Sequence, residues 1–205
     1  MKTIIKVSLL LSMVLLLLYS CDQKSHQEQA APTESEQPEA SVDYLTLGQK
    51  YAAETQAVLG KNLMASIQRE GTEQAVAFCN TRAYPLTDSM AQRLRVHLKR
   101  VTDQTRNPDN AASAEELQYI QAGKAALARG ESAAPQLQEI KGRMVAYYPI
   151  LTNSMCMQCH GDPASQIDPA TLKKINSLYP NDQATGYTEN QLRGIWVVEM
   201  DQEEE

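Results

Sequence analysis

Five consecutive residues, Cys156-Met157-Gln158-Cys159-His160, constrain this chain more than any other feature. Two thiols three residues apart reach the two vinyl groups on one edge of a porphyrin, and the adjacent imidazole swings under the iron. C-x-x-C-H is for that reason the attachment sequence of a c-type haem. The expected cofactor is one covalent haem c, with thioethers to Cys156 and Cys159 and with His160 as the proximal iron ligand. Two other chemistries use similar residues. Structural zinc would need a second ligand pair, for which Cys79, His97 and His26 remain. A thioredoxin-like dithiol would need a surrounding βαβ pattern and would leave His160 without a task.

The rest of the chain sets the context for that motif. Its 205 residues suit one domain of ordinary size with attachments. Apolar residues make up 42% of it, enough to bury a core. The 25 acidic residues outnumber 19 Lys and Arg, giving a formal charge of −6, and a nucleic-acid partner is not expected because a phosphate-backbone binder needs a basic face. Four cysteines are too few for a disulfide scaffold, so each one needs its own account.

Residues 1–20 carry Lys2 and Lys6, no acidic residue, and an apolar run from Val7 to Leu18 that is short for a membrane span. They read as a signal peptide. The run ends in Leu18-Tyr19-Ser20-Cys21, which resembles a bacterial lipobox whose cysteine takes diacylglycerol. An ordinary signal peptide with an incidental cysteine is the competing reading. Cys21 is thus the expected lipidation site, and residues 21–42 the acylated cysteine and its tether. From Asp22 to Ser41 no aliphatic residue is larger than Ala, the composition of a chain that cannot order itself. A flexible coil of that length spans about 25 Å. His26 falls in the tether and is expected to be solvated. The protein is expected to be exported and lipid-anchored at the bacterial cell envelope, facing the periplasm, with its domain over 43–201 and an acidic tail over 202–205.

Within the domain, apolar and small residues from Tyr44 to Ile67 recur on one face of a long helix that Gly71 ends. A second helix is expected from Thr72, with Ala75, Val76, Cys79 and Ala83 on one stripe, until Pro85 interrupts it. Leu94 to Val101 alternates with period two, as a strand does, and leaves His97 on the polar face. Arg106-Asn107-Pro108-Asp109-Asn110 is turn chemistry. Ser113 and Glu116 form a capping box for a helix that runs down at Gly130. Met144 to Leu151 and Leu192 to Met200 are further strands, and Asp168-Pro169 starts a short helix. Strands not separated by regular crossover helices favour an α+β fold with an antiparallel sheet and a long N-terminal helix.

The sixth iron position has several candidates. Met144, Met155, Met157, Met90 and Met64 are available, although methionine is more often core filler. Cys79 has no spare cysteine to pair with once Cys21, Cys156 and Cys159 are modified, so it is either a small buried hydrophobe or a metal ligand.

Several segments follow one another in a characteristic order: Phe78-Cys79-Asn80, Arg106 to Asn110, Tyr148-Pro149-Ile150, Cys156 to Gly161, Tyr179-Pro180, Gly186-Tyr187 and Leu192-Arg193-Gly194. From Thr72 to Val198 the chain resembles a PAS-like single-haem-c domain family. The resemblance implies a PAS-like fold, covalent haem c and a His/Cys axial pair, in which His160 matches the proximal ligand and Cys79 the distal thiolate. The family often has a glycine where this chain has Glu189-Asn190-Gln191, and Asn tolerates the left-handed conformation such a turn needs.

Relatives of this kind also serve as sensory domains joined to signalling modules. Five residues follow Met200 here, so no output domain is expected and any signal would pass to a separate partner. The expected function is electron transfer, at the low potential that a thiolate ligand imposes, with an unidentified redox partner protein. The alternative is a haem-based redox or gas sensor. An enzyme such as a peroxidase is a weaker expectation, since no distal histidine is offered for acid–base chemistry.

Overall fold

The computed structural model describes residues 42–202. Cys21, the signal peptide, the tether with His26 and most of the acidic tail lie outside the described residues.

The first element, α1 (Tyr44–Leu94), starts at Asp43, whose side chain accepts the Thr46 amide. Gly71 breaks it where the periodicity predicts, with φ 79° and ψ 174°, a backbone that a side chain would strain. The result is two arms, 44–70 and 72–94, joined at an angle. Pro85 departs from expectation. It lies inside the second arm and does not end it; the helix runs on to Leu94 and closes on Arg95 in the left-handed conformation. A proline in a helix interior costs about 3 kcal/mol. Here Ala83, Leu86 and Ala91 pack on the core and Thr87 and Met90 are buried, and that packing outweighs the lost hydrogen bond. Leu94 and Val96, which alternate like strand residues, consequently belong to the helix end and its exit.

The strands are β1 (His97–Val101), β2 (Gln136–Ile140), β3 (Arg143–Leu151) and β4 (Leu192–Asp201), in one antiparallel sheet of order β1-β4-β3-β2. β2 escapes sequence analysis because Gln-Leu-Gln-Glu-Ile is a largely polar edge strand. It turns into β3 through Lys141 and Gly142, φ 52° and 77°, the paired positive φ angles of a two-residue hairpin.

Both faces of the sheet are covered, which is why β3 and β4 read as near-continuous apolar runs. On one face Ala146, Tyr148, Trp196 and Val198 pack under α1. On the other, Val145, Tyr147, Ile195 and Val197 pack against Tyr119 and Ile120 of α2 (Ala114–Ala128). Both halves of the α2 capping box form, Ser113 Oγ with the Glu116 amide and Glu116 with the Ser113 amide. The molecule is thus the expected α+β fold, an antiparallel sheet flanked by helices with a long helix first.

Two short helices complete it: α3 (Met157–His160) and α4 (Pro169–Leu178), the latter capped by Asp168 as its Asp-Pro pair predicts. A third apolar cluster, Val76, Ile167, Ile175 and Tyr179, joins the second arm of α1 to α4. A hydroxyl pair, Thr72 and Thr171, tightens the same contact at 2.6 Å.

Candidate cofactor site

The C-x-x-C-H residues occupy a single turn. β3 ends at Leu151, and the buried Thr152 fastens that end to the loop before β4 by donating its hydroxyl to the Thr188 carbonyl at 2.6 Å. The chain then winds through a tight turn, Ser154–Cys156, capped by Asn153, whose side chain accepts the Cys156 amide at 3.3 Å. It continues directly into α3. Cys156 therefore sits at the entrance of α3, and Cys159 and His160 fall one turn later, each partly accessible.

The loop between α4 and β4 clasps this turn. Tyr187 and Gly186 donate their amides to the carbonyls of His160 and Gly161, both at 2.9 Å. His160 Nδ1 lies 2.6 Å from the Ala184 carbonyl oxygen. A carbonyl can only accept, so Nδ1 carries the proton and Nε2 keeps its lone pair for a metal. The Tyr187 ring meets the imidazole edge-on, centroids 6.3 Å apart.

Arg106 braces the arrangement, although sequence analysis placed it in a turn and in a family-like segment without giving it a role. Its guanidinium donates to both oxygens of Asp182, at 3.1 and 3.0 Å, and to the Cys159 carbonyl at 2.6 Å. With 13% and 6% exposure, the Arg106–Asp182 pair is a buried one. The Arg-Asn-Pro-Asp-Asn segment delivers it: Asn107 caps a turn over Pro108–Asn110, and Asn110 accepts the Tyr84 hydroxyl from α1 at 2.6 Å.

Cys79 approaches from the second arm of α1. It lies one turn beyond the buried Val76, whose cluster Cys159 packs against, and it is close enough to Cys159 for the two thiols to influence each other. Burial pushes the Cys79 thiol up, with Arg100 and Arg106 opposing. Burial likewise pushes Cys159 up to about 11. The His160 imidazole is held well below its ordinary value by burial, and the charges of Arg106, Arg193 and Arg100 act in the same direction.

The structure thus brings Cys156, Cys159, His160 and Cys79 into one region. His97 is elsewhere and exposed. Met144 packs into the core under α1 and accepts a hydrogen bond from Gln202 at 3.2 Å. Asn190 takes φ 63° in the position where left-handed backbone was expected.

The donor set suits a covalently held haem. Two thiols are presented on one turn, an imidazole has its Nε2 free, and a third thiol comes from a facing helix. Two buried polar atoms beside His160, the Tyr187 hydroxyl and Arg193 Nε, have no hydrogen-bond partner among the described residues, which leaves them able to meet a further polar group. Arg193 lies over the Tyr187 ring at 5.3 Å.

Comparison with known proteins bears on the family and the fold. A sequence model of the Tll0287-like family matches residues 25–200. The crystal structure of the cyanobacterial haem protein Tll0287 superposes with a TM-score of 0.60, covering 80% of this chain and 99% of that one at 19% identity. That similarity is one of fold, and it fits a PAS-like domain. No curated protein matches the sequence.

Proposed function

The chain belongs to the Tll0287-like family, and we propose that it is an exported, lipid-anchored monohaem c protein that transfers electrons at low potential. The observation that carries this proposal is the placement of the Cys156, Cys159 and His160 turn beside Cys79, with His160 Nδ1 engaged by Ala184. A haem bound there supplies a one-electron iron couple.

The protein's own residues do the rest. Cys156 and Cys159 fix the porphyrin by thioethers, so it cannot leave when the iron changes charge. His160, locked in one tautomer, offers Nε2 to the iron, and the Ala184 carbonyl raises the basicity of the ring. Cys79 offers a thiolate that donates electron density and favours the ferric state, which lowers the potential. The apolar cluster of Val76, Ile175 and Tyr179 keeps water from the cysteine side.

Redox or gas sensing is the second reading, and the burial of Cys79 favours it. A thiol pushed towards its protonated form leaves a ferrous iron readily, so its place is open to exchange. One set of measurements separates the two. The purified protein should give a c-type pyridine haemochrome with two saturated vinyls, and Cys156→Ala with Cys159→Ala should abolish attachment. A reversible potentiometric titration without ligand change then identifies a carrier, whereas displacement of the sixth ligand by CO or NO identifies a sensor. A colourless protein carrying stoichiometric zinc would overturn both.

A further inference from the structure

Three guanidiniums, Arg100, Arg106 and Arg193, act on His160 from within the fold. One carboxylate stands among them, Asp182, and it is bound to Arg106. Two cations are left without a counter-charge, and among the described residues neither has an ion-pair partner. Arg100 projects from β1 on the face under α1, where its guanidinium lies 5.3 Å from the centre of the Trp196 ring and makes no side-chain hydrogen bond among the described residues. Arg193 uses one terminal nitrogen for Thr102 Oγ1 and the Gln104 carbonyl, at 3.1 and 3.2 Å, while its Nε is buried and unpaired. The unpaired Tyr187 hydroxyl belongs to the ring that Arg193 covers.

Both guanidiniums are half-buried and have no carboxylate partner among the described residues, an arrangement suited to receiving an anion. Planar carboxylates are the anions that a guanidinium fork takes best. A haem carries two. We propose that Arg100 and Arg193 are the receptors for the two propionates of the haem, one each, with the Tyr187 hydroxyl donating alongside Arg193.

The inference rests on the haem function proposed above and extends it. The two half-buried positive charges would form a neutral set with two propionates. The same arginines oppose loss of an electron from the iron, so they raise the potential that the Cys79 thiolate lowers, which gives the chain a second means of setting it. Partial burial depresses the proton affinity of both guanidiniums.

The test uses the full-length protein made in a host that attaches haem c, with Arg100→Gln, Arg193→Gln and Tyr187→Phe, and with exposed Arg129→Gln as control. All four should keep covalent haem. Resonance Raman propionate bending bands should shift in Arg100→Gln and in Arg193→Gln, and Tyr187→Phe should shift the Arg193 band in the same direction by less. The potential of both arginine variants should fall and become pH-dependent near neutrality, while the control stays at wild type. Should the Gln variants fail to accumulate, Arg100→Lys and Arg193→Lys keep the charge but lose the fork, and the band shifts are expected there too. Haem-loaded variants whose propionate bands match the control would overturn this assignment and leave the haem function standing. A wild-type protein without haem would overturn the function itself.

Discussion

His160 donates its Nδ1 proton to the Ala184 carbonyl at 2.6 Å, and the Arg106 guanidinium reaches the same oxygen at 3.4 Å. One backbone atom thus couples His160 to a buried ion pair whose members flank it in the chain, Arg106 far upstream and Asp182 downstream. Because Arg106 also holds the Cys159 carbonyl, it fixes the turn of the C-x-x-C-H motif at one point and the loop that orients its imidazole at another.

Arg106→Gln should therefore affect both stability and the site. Removing one member of a buried pair strands the other, and the cost expected is about 3 kcal/mol in urea unfolding. Asp182→Asn should cost a similar amount. The yield of covalent haem should fall with it, since the turn that presents the thiols loses its brace. A loss below about 1 kcal/mol, the range of a surface pair, would contradict the burial read here.

Gly161 follows the motif for a steric reason. Its φ of −73° is open to any residue, but a Cβ there would lie 2.7 Å from the Met157 carbonyl and press on Gln166. Gly161→Ala is expected to cost about 1–3 kcal/mol, as overpacking does, and to lower haem incorporation. Thermal unfolding of the variant beside the parent measures the first effect, and the haem-to-protein absorbance ratio the second.

Cys21→Ser should free the domain from membranes without altering its visible spectrum, because the lipid and the haem lie at opposite ends of the proposed tether. Fractionation and the mature N-terminus check this. A variant that stays with the membrane would show that another segment anchors it.

Local backbone signals were the most legible part of the sequence. Gly71, the Ser113–Glu116 box and the Asp168-Pro169 pair each act within a few residues, and each appears where its own chemistry puts it. Pro85 misled because its penalty is local while the packing of Ala83, Leu86 and Ala91 that offsets it is tertiary. β2 was missed because an edge strand needs little apolar character, although Lys141-Gly142 before an apolar run was a hairpin signal. In the site, the spacing of Cys156, Cys159 and His160 was readable in one glance along the chain. The parts that orient them were not: Arg106, Asp182 and Ala184 meet only through folding, and no spacing rule relates them.

The haem-free protein should become less stable in acid in a way that traces to His160. Burial holds its folded value below the ordinary 6.5, so the unfolded chain takes up the proton first as pH falls. Stability is then greatest above that ordinary value and is lost as pH drops from there towards the folded value. In the Cys156→Ala, Cys159→Ala background, the urea midpoint should fall between about pH 7.5 and about pH 5.5. Adding His160→Gln should flatten that difference. An equal fall with and without His160 would assign the acid sensitivity to other groups.

Cys79→Ser tests the sixth ligand while preserving size. The thiol stands beside Cys159 in a pocket whose burial disfavours its ionised form, and Arg100 and Arg106 only partly compensate. A ferric centre changes that balance, since a metal-bound thiol is deprotonated and the positive iron offsets the buried charge. Reduction removes part of the compensation, so the sulfur should bind ferric iron more firmly than ferrous. The variant should accordingly lose low-spin thiolate character in its ferric spectrum. Its potential should rise by on the order of 0.1 V, a fraction of the roughly 0.8 V over which axial ligands set haem potentials. If Cys79 is instead a small core residue, the serine variant keeps both the parent spectrum and the parent potential and pays only the cost of a buried hydroxyl, about 1–3 kcal/mol. The two outcomes differ in observables that packing alone does not move, so an unchanged spectrum and potential would remove Cys79 from the site whatever the stability change.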